Sequence, residues 1–269
     1  MTSSSAPTID KTPVSQAKAA LPLFYIRPEP LTAERHGTLR LKAEADFTFA
    51  AQTNAVPIMA SEFSEAMRFY PIVFAGEPAH PITVMGLKTD NLFVDARGQW
   101  AAAHYIPAYV RRYPFVFIDA GAQGFALGID MGCDRLETTS SEAADGALSL
   151  FNDGKPTDFT QGTLQFCSAL QTDHTVTRAF TDALIEQELL IDQHAQGETA
   201  GGERFAVQGF RIVDAQKFAA LPDAVIADWH KKGWLGLVHL HLTSLNRWRD
   251  LLDRQPSSVE APVTEPLAG

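Results

Sequence analysis

Arg68-Phe-Tyr-Pro-Ile-Val-Phe74 and Arg111-Arg-Tyr-Pro-Phe-Val-Phe117 share one order: a basic residue, any residue, Tyr, Pro, an apolar residue, Val, Phe. In each copy the proline pushes the preceding tyrosine out of the α region and cannot continue a helix. Each copy therefore marks a helix end. The short aromatic and β-branched run that follows fits a pleated, half-buried strand. Upstream, Glu62 to Met67 and Pro107 to Val110 read as short helical stretches, and downstream each copy leads into two strands. The reading is a repeated helix–strand–strand unit. Two edge strands that merely begin alike are the alternative that seven residues leave open.

Working outward, Pro71–Ala75, Pro81–Leu87 and Asn91–Asp95 are rich in Val, Ile and Phe and bounded by Gly, Pro and Asp. Such runs read as strands of an antiparallel sheet. Asp119-Ala-Gly-Ala-Gln-Gly124 is a hairpin loop joining Phe115–Ile118 to Phe125–Asp130. The acidic, small-residue stretch Asp134–Asp158 reads as a surface loop, with a turn at Asn152-Asp153-Gly154. Beyond it helices dominate. Val176, Phe180, Leu184 and Ile191 are placed on one face of a helix capped by Thr172 or Asp173. Phe205–Val213 reads as a strand, and Asp214 caps a short helix ending at Leu221. Pro222 and Asp223 open another helix, closed by Lys231, Lys232 and Gly233. Trp234–Leu242 reads as a strand, and Ser244 starts a last helix with Leu245, Trp248, Leu251 and Leu252 inward. The expected class is α+β: an antiparallel sheet of short strands in the first half, helices mostly in the second. One domain spans 21–254, between flexible tails at 1–20 and 255–269.

Composition narrows the function classes. The chain has 269 residues, 45% hydrophobic and 20% charged, ample for a folded core. Its formal net charge is -10, and phosphate binding needs a clustered basic surface, so nucleic acid is not the expected partner. No apolar run approaches the ~20 residues of a spanning helix, so no membrane insertion is expected. Met1–Ala20 lacks the apolar region of a secretory signal, which points to the cytoplasm. Cys133 and Cys167 are then reduced core thiols. No phosphate loop, GxGxxG, GxSxG, HExxH or CxxC pair occurs, and no cofactor is expected.

Two clusters carry candidate chemistry. The first runs from Asn91 and Asp95 through Trp100 and Tyr105 to Arg111 and Arg112. Guanidinium groups beside aromatic rings can grip a carboxylate or phosphate bidentately and stack, while Asn91 and Asp95 add hydrogen bonds. The competing reading is structural: Asp95 and Gly98 form a turn, Trp100 fills core, and the arginines pair with the excess acid. The second is His239-Leu-His241, a weak metal candidate, since two imidazoles two residues apart on a strand share a face. Nothing names a third ligand.

An ordered set of motifs runs Tyr70-Pro-Ile-Val-Phe74, Met85-Gly-Leu87, Asn91-Leu-Phe-Val-Asp95, Gly98-Gln-Trp100, Tyr105-Ile-Pro107 and Arg111-Arg-Tyr-Pro-Phe115. It continues in Leu150-Phe-Asn-Asp-Gly154, Phe210-Arg-Ile-Val-Asp214 and His241-Leu-Thr-Ser-Leu245. This order resembles the bacterial SapC family named after a surface-layer protein locus, which is distinct from the peptide-transporter permease of that name. The resemblance implies association with a surface layer, or a supporting role in TonB-linked uptake or peptide modification. It brings no catalytic residues and no ligand set. The expected function is a non-catalytic binding protein serving an envelope, surface-layer or uptake system through a protein partner. The alternatives are an enzyme with a dispersed site, peptide-modifying or metal-dependent, and a structural surface-layer component. The sequence leaves the oligomeric state open.

Overall fold

The structure, a computed structural model, describes residues 21–119, 125–138, 146–198, 202 and 204–255. The tails read at 1–20 and 255–269 lie outside the described residues, Gln255 apart, as does the hairpin loop 120–124.

The chain opens with β1 (Pro28–Pro30), α1 (Ala33–His36), β2 (Leu39–Leu41) and β3 (Ala55–Pro57). The first repeat copy follows α2 (Phe63–Ala66) and forms the hairpin β4 (Ile72–Ala75) and β5 (His80–Val84), paired antiparallel with Ile72 opposite Thr83. The second copy follows α3 (Ala108–Arg111) and forms β6 (Phe115–Asp119) and β7 (Phe125–Asp130), with Phe115 opposite Ile129. Both copies are thus helix–strand–strand units, but they join different sheets. The stretch read as an acidic loop carries short pieces, β8 (Leu136–Thr138), β9 (Leu148–Ser149), β10 (Phe151–Asn152) and β11 (Lys155–Pro156). There Asp153 and Gly154 turn β10 into β11 with positive φ at both positions, 48° and 75°, as a two-residue hairpin requires. Leu150, between β9 and β10, is fully buried, so this stretch is anchored in the core.

The second half holds α4 (Asp158–Glu186), β12 (Leu190–Glu198), β13 (Arg204–Val213), α5 (Ala215–Ala219), α6 (Asp223–Lys232), α7 (Trp234–Ser244) and α8 (Arg247–Asp253). One sheet runs β12-β13-β4-β5-β3, a second β1-β7-β6 and a third β8-β2-β9, every pairing antiparallel. The class is α+β, with helices mostly in the second half. The main core gathers Phe63, Tyr70, Phe74 and Met85 with Phe180 and Leu184 of α4 and Val238 of α7.

Three expectations need correcting. Asn91–Asp95 is a loop with a single bridge, Val94 to Trp100. Asn91 Oδ1 accepts from the Phe93 amide at 3.0 Å, and this local side-chain bond turns the backbone away from a ladder. The helix placed after Thr172 is the latter part of α4, whose N-cap is Thr157, so Val176 stands 53% exposed and Ile191 belongs to β12. Thr172 and Thr175 donate back to the carbonyls of Ser168 and Gln171, at 3.3 Å each, as hydroxyls inside a helix do.

The third correction is α7. Trp234–Leu242 is helical, because Gly233 in the left-handed region (φ 74°) ends α6 and lets the chain turn at once into a new helix. A short apolar run does not distinguish strand from buried helix by period. Ser244 closes α7 and does not start α8. Its hydroxyl accepts from the Ile72 amide at 2.9 Å, docking the helix onto β4.

Candidate functional site

Pro107 closes a loop and places Ala108, Tyr109 and Val110 inward, so α3 is a short buried helix. Glu62 fixes its start. Its buried carboxylate accepts from the Ala108 amide (2.7 Å), the Tyr105 hydroxyl (2.8 Å) and the Met59 amide (2.8 Å). Successive helical residues point about 100° apart, so Arg111 and Arg112 leave α3 in different directions.

Arg111 lies along the rim. Its Nε donates to the Ile106 carbonyl at 3.0 Å, and its guanidinium stands 5.2 Å from the Phe166 ring centre and 5.7 Å from that of Tyr105. Arg112 goes inward. Its guanidinium carbon stacks 4.1 Å from the Tyr109 ring centre and 5.8 Å from that of Tyr25. Its Nε is buried without a hydrogen-bond partner. Among the described residues no carboxylate pairs with it.

Three cavities meet at Arg112 along one side of α4. The first, about 510 Å³, is lined by Arg111, Arg135, Phe115 and, from α4, Phe159 and Phe166. Arg135 also buries an unpartnered Nε. The second, about 60 Å³, lies between Met59, Tyr109, Cys167, Leu170 and Gln171. The third, about 290 Å³, is lined by Met59, His80, Tyr109, His174 and Thr177. From Asp158 to Thr177 the helix advances roughly 28 Å, the span of about eight residues of extended chain. The result is a groove with aromatic and aliphatic walls and an arginine at its middle.

Titration follows the burial. The Cys167 thiol is pushed up to about 11, by burial against the opposing charge of Arg112, so it faces the groove protonated and unreactive. Burial also raises the Tyr25 and Tyr105 phenols, with Arg112 opposing at Tyr25 and Glu62 adding at Tyr105. His80 is held below the usual imidazole range by burial first, then by His174.

The expected site therefore divides. Asn91 is buried and bonds the backbone, its Nδ2 donating to Ala50 O at 3.3 Å. Asp95 closes a turn by accepting from the Arg97 and Gln99 amides, both at 2.9 Å. Trp100 is core, its indole N–H reaching the Tyr70 hydroxyl at 3.3 Å. These three follow the structural alternative. Tyr105 supports the rim through Arg111, and Arg111 and Arg112 reach the groove. Tyr109 completes it from the same helix, and His80, His174, Met59 and Arg135 from distant parts of the chain. Only the adjacency of Tyr109 to the arginine pair was a signal in the sequence.

His239 and His241 are not neighbours in space. On α7 two residues are 200° of rotation apart. His239 meets the Phe218 ring (centroids 5.3 Å apart), while His241 is fully buried between Ile72 O (2.8 Å) and the Val213 amide (3.0 Å). Among the described residues no group of three or more His, Cys, Asp or Glu can hold a metal ion.

The fold and the groove define an α+β protein with a cationic, aromatic-walled cleft along its longest helix. The SapC family model matches residues 31–251, and the chain belongs to the SapC family. No curated protein and no solved structure matches it. No helix among the described residues is long and apolar enough to cross a membrane.

Proposed function

We propose that this SapC-family protein is a non-catalytic binding protein that captures a short acidic segment of a partner protein in the α4 groove. The observation that carries the reading is Arg112, stacked on Tyr109, its buried Nε without an acceptor. A buried unsatisfied donor destabilises by about 1–3 kcal/mol, and an incoming carboxylate supplies the missing acceptor in the bidentate geometry that guanidinium favours. Arg111 and Arg135 extend the positive surface of the cleft. Aromatic walls with few polar groups are the usual make-up of binding clefts.

The net charge of -10 weighs against nucleic acid, because a phosphate backbone would meet an acidic surface beyond this one cleft. In this reading the partner belongs to an envelope, surface-layer or TonB-linked uptake system and the protein acts from the cytoplasm, a reading that membership of the SapC family supports. An enzymatic reading has less support, because the Cys167 thiol on the groove is pushed up to about 11.

The test is a photo-crosslinking residue at Gln171, exposed on the groove, in the full chain expressed in its native cell. A crosslinker at exposed Gln216 on α5 is the control. The expected result is one discrete adduct at Gln171 alone, lost on Arg112→Ala, and competed by a Glu-rich hexapeptide but not its Gln counterpart. Equal adducts at both positions, or an adduct indifferent to Arg112, reject the reading.

A further inference from the structure

We propose that the His80 end of the groove is a carboxylate pocket, in which His80, His174 and Arg112 converge on one acid group carried by an aliphatic stem. The inference rests on the groove's being a binding site and names the chemistry it takes there. His80 opens β5 and His174 sits on α4. Their ring centres are 5.8 Å apart with the planes 33° from parallel. Both line the cavity of about 290 Å³ that Arg112 also lines. Among the described residues neither imidazole has a hydrogen-bond partner, and the Arg112 Nε is unpartnered too. One guanidinium, charged at every accessible pH, and two imidazoles that can each take up a proton thus line one space.

The walls decide between kinds of anion. Pro57, Ile58 and Met59 are apolar, so they favour an acid on an aliphatic stem over a fully hydrated inorganic ion. A metal ion fits poorly. Arg112 lines the same space and Arg178 acts on His80 by its charge, and no third ligand completes a set among the described residues. The charged groups facing His80 are His174, Arg178 and Asp182 from α4 and Arg112 from the end of α3. Asp182 is already paired with Arg178 at 2.8 Å, and Asp173, next to His174, accepts from Ser61 at 2.8 Å. The Asp182 charge favours protonation of His80, but burial, His174 and Arg178 outweigh it. With the pocket empty, burial and mutual repulsion disfavour protonation of His80. A bound carboxylate reverses that balance, so binding takes up protons and strengthens as pH falls through the imidazole range.

Glutarate is the probe, titrated into the full chain while the imidazole Cε1–H signals are followed by NMR. His80→Gln and His174→Gln assign the signals. Saturable glutarate binding should raise both titration midpoints, with Kd at least tenfold lower at pH 5.5 than at pH 7.5. Inorganic phosphate at equal concentration should leave both midpoints in place, and Arg112→Ala should abolish saturation in a chain whose amide spectrum stays dispersed. Glutarate that moves neither midpoint, equal affinity at the two pH values, or phosphate binding as tight as glutarate overturns the pocket. The Gln171 crosslink separates the two claims. Failure of glutarate with an Arg112-dependent adduct removes the pocket and keeps the groove, whereas glutarate binding without such an adduct does the reverse.

Discussion

His241 shows how a single side chain is fixed by its partners. The Val213 amide can only donate, so Nε2 is the acceptor and the ring proton sits on Nδ1, donating to Ile72 O. Both nitrogens are used, and the ring is neutral. Burial pushes its pKa down to about 4, against a slight rise from the Ile72 carbonyl. The unfolded chain takes up this proton near pH 6.5 while the folded chain resists it. Stability from His241 is therefore complete above about pH 6.5 and is lost as pH falls towards 4, by about 3 kcal/mol in all. Urea unfolding at pH 7.0 and 5.0 should show this fall in the wild type and a shallower one in His241→Phe. That variant should also lose roughly 2–4 kcal/mol at pH 7, from two buried backbone groups left unpaired. Equal pH slopes in the two proteins would reject the assignment. The pair His239-Leu-His241 was legible in the sequence as histidines but not as geometry. Period two joins them on a strand, whereas the helical period drives them apart.

At the scale of elements, the proline-marked units were legible because proline acts locally: it ends α2 and α3 and starts two hairpins wherever the chain then goes. The length of α4 was not legible. Its Thr, Ser, Gln and Asp residues mimic caps and turns, and the helix holds because tertiary contacts seize it at intervals. Thr177 is one such contact, its Oγ1 accepting from the Ala60 amide at 2.8 Å in a buried setting. Thr177→Val keeps the shape and strands that amide, at about 1–3 kcal/mol. With roughly 2–4 °C of Tm per kcal/mol at this size, thermal unfolding should begin several degrees lower. An unchanged Tm would show that the bond does not hold α4 in place.

At the scale of the whole molecule, the net charge of -10 describes the body and not the cleft. The sequence placed a small basic, aromatic patch near Asn91–Arg112, and its arginine end is the part that lines the groove. The rest of that patch is turn and core, since Asn91, Asp95 and Trp100 spend their polar atoms on their own surroundings. The other groove walls come from residues near 57–59, 80, 135 and 159–177, brought together by the packing of α4 against the turn at 60–62, β5 and β6. No local pattern announces such a meeting. The central claim is that Arg112 serves binding and does not merely fill space beside Tyr109. The direct measurement compares wild type with Arg112→Met, which keeps the aliphatic stem, for both Tm and Gln171 crosslinking. A binding role predicts a Tm equal to or above that of the wild type, since removing a buried unpartnered donor relieves a cost of about 1–3 kcal/mol, with the adduct gone. A lowered Tm with the adduct intact would make Arg112 a structural residue and contradict the proposed function.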